Sequence, residues 1–208
     1  MLPDLVIASF LALSLALAFG RGVYESKKSR SGKLEATREE AEPGALEPLL
    51  VLGAFFALMF YAEMILYVIL VFSLQTVLTT SFLQLHFPLD SLIQSLGILM
   101  MVFGYIPVFW GINALEYSEL TTWGPYRYVR HPQYLGYFII FAGFFLTILN
   151  LIALLPLLTI LGEIQQAKLE EEFLTRKFGN AYIRYQQETG KFFPKMKSWK
   201  RDQKQISR

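Results

Sequence analysis

The charged residues of this chain are distributed very unevenly along the sequence. The sequence has 19 basic and 17 acidic residues, yet five long runs contain none. These runs cover residues 5–20, 48–62, 64–89, 91–115 and 132–162. A helix that crosses the ~30 Å hydrocarbon core of a bilayer needs roughly 20 predominantly apolar residues. The sequence therefore predicts an all-α polytopic membrane protein.

Composition excludes several other classes. Hydrophobic residues make up 54% of the chain and charged residues 17%, whereas about a quarter of an ordinary soluble domain is charged. Disordered chains are rich in charge and poor in apolar residues, so disorder is excluded as well. The chain has no Cys and only two His, His86 and His131. We therefore expect no disulfide, no cysteine nucleophile and no metal site.

The last run, 132–162, is too long for one upright span. As a single helix it would extend ~46 Å, and Asn150 and Pro156 both permit a break. Basic residues lie in 21–47, in 127–130 and after 162, but none lies before 21, in 75–90 or near Asn150. With basic loops in the cytoplasm, the N-terminus is outside. The prediction is about five transmembrane helices, including a C-terminal helical hairpin.

Three regions follow from this topology. Residues 1–115 should form three N-terminal transmembrane helices with a polar loop at 21–47. The first helix is expected to be an uncleaved span, because it lacks the basic start and small-residue cleavage site of a signal peptide. Residues 116–194 should form the catalytic and cofactor-binding region with the hairpin. Residues 195–208 are a basic tail that either contacts anionic headgroups or stays solvated.

One cytoplasmic loop carries residues suited to binding an anion. Arg130 and His131 directly precede Pro132, which suits the first turn of a helix. They would therefore lie at the positive end of the helix, where Arg130 can form two hydrogen bonds to a carboxylate. His131 can hold a proton near neutral pH. The alternative is an interfacial anchor, because Arg, His and Tyr commonly flank spans.

A run of carboxylates, Glu170, Glu171 and Glu172, follows the hairpin. Successive residues on a helix differ by ~100°, so the three cannot share one face. Because the hairpin returns the chain to the Arg130 loop, at least one carboxylate should face that loop. The alternative is a solvated face paired with Arg176 and Lys177.

Together the two segments form a composite motif. Its residues are Gly124, Tyr126, Arg130, His131, Pro132 and Tyr134, then Glu170, Glu171, Leu174, Phe178, Gly179, Tyr182 and Tyr185, and finally Phe192-Phe193-Pro194. This arrangement, which spans residues 120–194, resembles the isoprenylcysteine carboxyl methyltransferase family of integral-membrane enzymes. One departure is Ser118, which stands where that family usually has His.

The resemblance implies methyl transfer from S-adenosylmethionine at the cytoplasmic membrane face. It implies that Arg130 and His131 bind the cofactor carboxylate, that Glu170 or Glu171 binds its ammonium or ribose diol, and that Tyr126 and Tyr134 enclose adenine. Arg130 and Glu171 are the expected catalytic residues. The expected partners are the bilayer and a lipid-like or prenylated substrate, with no nucleic acid.

The acceptor stays open at this point. The main expectation is the carboxylate of an isoprenylcysteine or a related prenyl lipid. An alternative is phospholipid N-methylation, in which an amine would need a proton acceptor such as Glu171, Glu119 or water. Two further alternatives are an NAD(P)H-dependent sterol-type reductase, which shares part of the motif, and a non-catalytic scaffold. Glu63, a carboxylate inside the second span, either lines the acceptor cavity or is protonated and bonded to a neighbouring helix.

Overall fold

The computed structural model describes residues 2–28, 48–74, 83–116 and 119–195. The expectations about most of the polar loop, the stretch after Leu74, Ser118 and the tail beyond Lys195 fall outside these ranges. The helices are α1 (Asp4–Lys28), α2 (Pro48–Ile69), α3 (Asp90–Ala114), α4 (Pro132–Ile148), α5 (Thr159–Phe178) and α6 (Asn180–Glu188). A π-helical turn, Leu70–Leu74, extends α2, and 3-10 helices cover Gly124–Arg127 and Leu151–Leu158.

The predicted membrane helices are confirmed. Four helical segments are long and apolar enough to cross a bilayer, namely Asp4–Tyr24, Val51–Phe72, Asp90–Ala114 and Leu151–Phe178, and Pro132–Ile148 is a shorter apolar helix. The chain is therefore a multi-pass membrane protein. The first helix continues to Lys28, so the start of the segment expected as a polar loop at 21–47 is helical.

The hairpin forms where the sequence predicts it. α4 ends at Ile148, and Leu149 turns the chain in the left-handed region with φ 52°. The side chain of Asn150 accepts a hydrogen bond from the Ile152 amide at 2.9 Å and so begins the next helical segment. The Leu85 amide also donates to the Leu149 carbonyl at 2.8 Å. α5 then returns to the end of the bundle where α4 starts.

Glycines let α3 and α4 pack closely. Gly97, Gly104 and Gly111 recur every seven residues on α3 and face α4, where Gly136 and Gly143 have the same spacing. A Cβ added at Gly97 would lie 2.7 Å from the Gly143 carbonyl oxygen, and one added at Gly104 would lie 2.9 Å from that of Gly136. Small residues allow helix backbones to approach this closely in membranes. Because α3 and α4 are packed so closely, the two ends of the loop that connects them are held in place.

Aromatic and aliphatic side chains join the remaining helices to this pair. The Phe60 ring on α2 packs edge-to-face with Phe141 and Phe144 on α4, with centroids 5.0 Å apart in both cases. At the end of the bundle where α4 begins, the Tyr24 hydroxyl donates to Asn113 Oδ1 at 3.0 Å. This contact brings the end of α1 to the same end of the bundle as the Arg130 loop.

Candidate active site

The loop before α4 is a compact turn held from two sides. Gly124 has a φ of 61°, in the left-handed region that favours glycine, and Pro125 follows it in the first turn of the 3-10 helix. The Tyr185 hydroxyl on α6 donates to the Tyr126 carbonyl at 2.6 Å. The loop and α6 therefore form one unit around residues 124–131.

The motif residues Arg130, His131 and Glu171 meet in what we call the closed cluster, together with Lys191. Glu171 Oε1 accepts from Arg130 Nε at 2.9 Å and lies 3.2 Å from His131 Nε2. Its other oxygen lies 3.3 Å from Lys191 Nζ. Both carboxylate oxygens of Glu171 thus have cationic partners, which favours the ionised form.

The chain after α6 docks against the same loop and is called here the C-terminal strap, residues 189–194. The amides of Arg130 and His131 donate to the carbonyls of Gly190 and Lys191, at 2.8 and 3.1 Å. The Arg130 guanidinium also donates to the carbonyls of Gln186 and Thr189. A Cβ at Gly190 would collide with the Phe193 carbonyl oxygen, so the strap requires glycine there.

Glu170 has a different environment, called here the open cluster with Tyr134 and Gln166. Its Oε1 accepts from the Tyr134 hydroxyl and from Gln166 Nε2, and its Oε2 lies 3.5 Å from His131 Nδ1. The Glu170 side chain is 41% exposed, against 14% for Glu171. Glu170 is therefore positioned by its neighbours and still accessible to a ligand.

His131 bridges the two clusters. Its ring is buried, and each ring nitrogen faces a carboxylate, Glu170 on one side and Glu171 on the other. Burial alone would lower the pKa of His131, but hydrogen bonds and charges from both glutamates outweigh it and raise the pKa. Because only the imidazolium can donate from both nitrogens, the geometry favours the protonated ring.

A cavity of about 330 Å³ opens beside the open cluster, within the size range of small-ligand sites. Of the predicted site residues, Tyr126, Arg130, His131, Tyr134 and Glu170 line it. Glu171 is not among the lining residues, because it points into the closed cluster. Neither is Glu63, which is half-buried on α2 and whose Oε1 has no hydrogen-bond partner within the described residues.

Three polar lining residues between the end of α3 and Trp123 were not assigned to the site by the motif: Glu116, Glu119 and Thr121. Thr121 Oγ1 accepts from the Glu116 amide at 2.9 Å and donates to the Glu116 carbonyl, so it folds this segment into the cavity wall. Their signal in the sequence is the polar stretch between the end of α3 and Trp123.

The donor set of the cavity fits S-adenosylmethionine chemically. The aromatic wall consists of Tyr126, Tyr134, Phe173, Phe178, Tyr182 and Tyr185 and offers flat apolar surface for a nucleobase. Glu170 can accept from an ammonium or a ribose diol, since an ionised carboxylate only accepts. Lys177 adds a cation to the lining, along with the edges of Arg130 and His131. Most of the Arg130 donors are engaged by Glu171, Gln186 and the strap.

Part of the chain matches the model of a known protein family. Residues 92–181 match the family model described as phospholipid methyltransferase, and no curated protein matches the chain. The matched segment covers α3, the Arg130 loop, the hairpin, α5 and the start of α6, which together build the cavity. The family shares a clan with the isoprenylcysteine carboxyl methyltransferases, but the match supports the phospholipid alternative better than the prenylcysteine expectation.

The match includes the whole open cluster and, from the closed cluster, Arg130, His131 and Glu171, but not Lys191 or the rest of the C-terminal strap. Enzymes of this family are integral to the membrane and use S-adenosylmethionine. Over residues 92–181, which are 90 of its 208 residues, the chain is therefore similar to the phospholipid methyltransferase family, and this similarity indicates a membrane methyltransferase that depends on S-adenosylmethionine.

Proposed function

We propose that the protein methylates the amine of a phospholipid headgroup at the end of the bundle where α4 begins. The observation that carries the proposal is the overlap between the phospholipid methyltransferase match at 92–181 and the elements that enclose the cavity. Basic residues concentrate in the loops at this end of the bundle, which supports a cytoplasmic location for the site.

The cofactor supplies an electrophilic methyl group on a sulfonium, which is already a good leaving group. The protein must therefore hold the acceptor in line with that methyl group and keep water away, and such positioning can supply much of the rate. Glu170 would accept from cationic or hydroxyl groups of the cofactor, while Tyr134 and Gln166 hold its carboxylate in place. The aromatic wall shields the reacting atoms.

Arg130 and Glu171 have a supporting role in this proposal. The sequence expectation made both catalytic, but Glu171 gives its oxygens to Arg130, His131 and Lys191. We assign the pair to positioning, because it ties α5 and the strap to the loop before α4. This assignment leaves Glu170 as the carboxylate that contacts the cofactor.

An amine acceptor must lose a proton before its lone pair can attack. Of the carboxylates expected for this task, Glu119 lines the cavity and is exposed, whereas Glu171 is engaged by three cations. We therefore assign proton acceptance to Glu119 or to water in the cavity. Glu119→Gln should slow methyl transfer with little change in cofactor affinity.

Identifying the methylated product tests the proposed function. Purified protein would be incubated with methyl-labelled S-adenosylmethionine and vesicles that contain either phosphatidylethanolamine or phosphatidylcholine, which has no free amine. A third reaction would contain a prenylcysteine. We expect label only with phosphatidylethanolamine. Base-labile label on the prenylcysteine alone would show that the acceptor is a carboxylate and contradict the proposal.

A further inference from the structure

The inward face of α1 ends in an arginine. Ile7, Leu11 and Ser14 are buried along this face, and the same three-or-four residue spacing continues through Ala18 to Arg21, which is half-buried. The flanking side chains point outward, as Phe19 shows with 77% exposure. Arg21 therefore points into the helix bundle and not toward the lipid.

Arg21 meets an aromatic ring and a carboxylate from other helices. Its guanidinium carbon lies 4.9 Å from the centroid of the Tyr137 ring on α4. It also interacts electrostatically with Glu163 on α5, which is half-buried. The Tyr137 hydroxyl is buried and has no hydrogen-bond partner in the part of the chain that the structure describes. Three helices thus bring a cation, a hydroxyl and an anion together.

Arg21, Tyr137 and Glu163 lie deeper in the helix bundle than the open cluster. Tyr137 follows Tyr134 by one turn of α4, and Glu163 precedes Glu170 by two turns of α5, about 10 Å along the helix. Glu163 interacts electrostatically with Tyr134 and with Glu170, both of which belong to the open cluster. The deeper group is therefore adjacent to the cofactor cavity on the side of the membrane interior.

We propose that Arg21, Tyr137 and Glu163 form the subsite for the phospholipid headgroup. This inference rests on the proposed function and names the groups that hold the substrate. A zwitterionic headgroup carries a phosphate and an ammonium two carbons apart. The guanidinium and the Tyr137 hydroxyl take the phosphate, and the Glu163 carboxylate takes the ammonium.

Two observations favour a lipid over a purely internal ion pair. Charged groups in membrane helices are costly and generally serve a ligand or a pathway. The buried Tyr137 hydroxyl also leaves hydrogen-bonding capacity that a phosphate oxygen would use. Because Arg21 lies outside the matched segment 92–181, α1 would add substrate specificity to the cofactor domain.

Direct binding tests the subsite apart from turnover. The probes are dihexanoylphosphatidylethanolamine, dodecylamine as an amine without phosphate, and S-adenosylhomocysteine. The variants are Arg21→Gln, Arg21→Lys and Glu163→Gln, with Arg184→Gln on the exposed face of α6 as the matched control. Melting temperatures verify that each variant is folded.

We expect Arg21→Gln to weaken binding of the phospholipid about tenfold or more, as for a lost charge-assisted hydrogen bond, without affecting dodecylamine. Arg21→Lys should restore part of the affinity, and Glu163→Gln should weaken binding of both amines. Affinity for S-adenosylhomocysteine should be unchanged in all variants.

Unchanged phospholipid affinity in Arg21→Gln would overturn the subsite, and so would an equal loss for S-adenosylhomocysteine, which would assign Arg21 to the cofactor. If the wild type binds the phospholipid through Arg21 but does not methylate it, the subsite stands and the proposed function fails. If the Arg21→Gln variant methylates the phospholipid as well as the wild type does, the proposed function stands and the subsite fails.

Discussion

Glu170 and Glu171 are neighbours in the sequence but belong to regions with opposite character. The closed cluster surrounds Glu171 with three cations and is covered by the strap. The open cluster holds Glu170 with Tyr134 and Gln166 and leaves it accessible at the cavity. Successive residues on a helix point in directions that differ by ~100°. This difference directs Glu171 into the closed cluster, where it holds the site together, and Glu170 toward the cavity, where it can bind a ligand.

The largest effect should come from breaking the closed cluster at Arg130. Arg130→Ala leaves Glu171 without its closest cation and removes the guanidinium donors to Gln186 and Thr189. Losing one partner of a buried ion pair typically costs about 3–5 kcal/mol. We expect a strongly lowered melting temperature, loss of S-adenosylhomocysteine binding and faster proteolysis near the strap.

Arg127→Ala is the matched control for Arg130→Ala, because Arg127 lies in the same loop with an exposed side chain. It should melt close to the wild type. An Arg130→Ala variant with wild-type melting and cofactor affinity would show that the closed cluster does not hold the site together.

The next effect should come from the strap. Gly190→Ala places a Cβ against the Phe193 carbonyl oxygen, so the strap must shift away from the Arg130 loop. Overpacking of this kind typically costs about 1–3 kcal/mol. Thermal unfolding and S-adenosylhomocysteine titration would measure the loss. Gly22→Ala is the control, because an added Cβ meets nothing within 4 Å there. Equal melting of both variants would contradict the role given to the strap.

A pair of conservative variants separates the two regions directly. Glu170→Gln should weaken S-adenosylhomocysteine binding about 10- to 100-fold, the usual worth of a hydrogen bond to a charged group, with the melting temperature nearly unchanged. Glu171→Gln should mainly lower the melting temperature. Calorimetric titration and thermal unfolding of both variants provide the two readouts. The reverse pattern would exchange the roles of the two glutamates.

The smallest effect should be a dependence of stability on pH that is caused by the titration of His131, the residue that contacts both clusters. Its pKa is raised above the ordinary value of 6.5, so its contribution to stability is fully present below pH 6.5 and is lost as the pH rises through the raised pKa. The wild type should therefore lose more stability between pH 6.5 and 9 than His131→Gln. If the wild type and His131→Gln gave parallel profiles of melting temperature against pH, the His131 imidazolium would contribute nothing to stability.

Much of the architecture could be predicted from charge alone. The runs without charged residues predicted the positions of the membrane helices. The distribution of basic residues predicted a hairpin, and the turn at Leu149 and Asn150 forms it. The meeting of the Arg130 loop with at least one carboxylate of the run at 170–172 followed from that hairpin. The orientation of the bundle across the membrane stays a prediction, as do the domain boundaries at 115 and 194.

The finer arrangement of the site could not be predicted, because it depends on helix phase and on distant chain segments. Which glutamate enters the closed cluster depends on the rotation of α5, which packing against its neighbours sets. Gly190 of the strap forms an isolated β-bridge with Val129, which is far away in the sequence. No local sequence pattern predicts such a bridge. The seven-residue spacing of Gly97, Gly104 and Gly111 was a readable signal for the close packing of α3 and α4.

The most direct test of the account is a calorimetric titration that compares S-adenosylhomocysteine with NADPH, in the wild type and in Glu170→Gln. We expect a single saturable site for S-adenosylhomocysteine in the wild type, weaker binding in Glu170→Gln, and no binding of NADPH to either protein. Binding of NADPH without binding of S-adenosylhomocysteine would contradict the account and favour a membrane reductase.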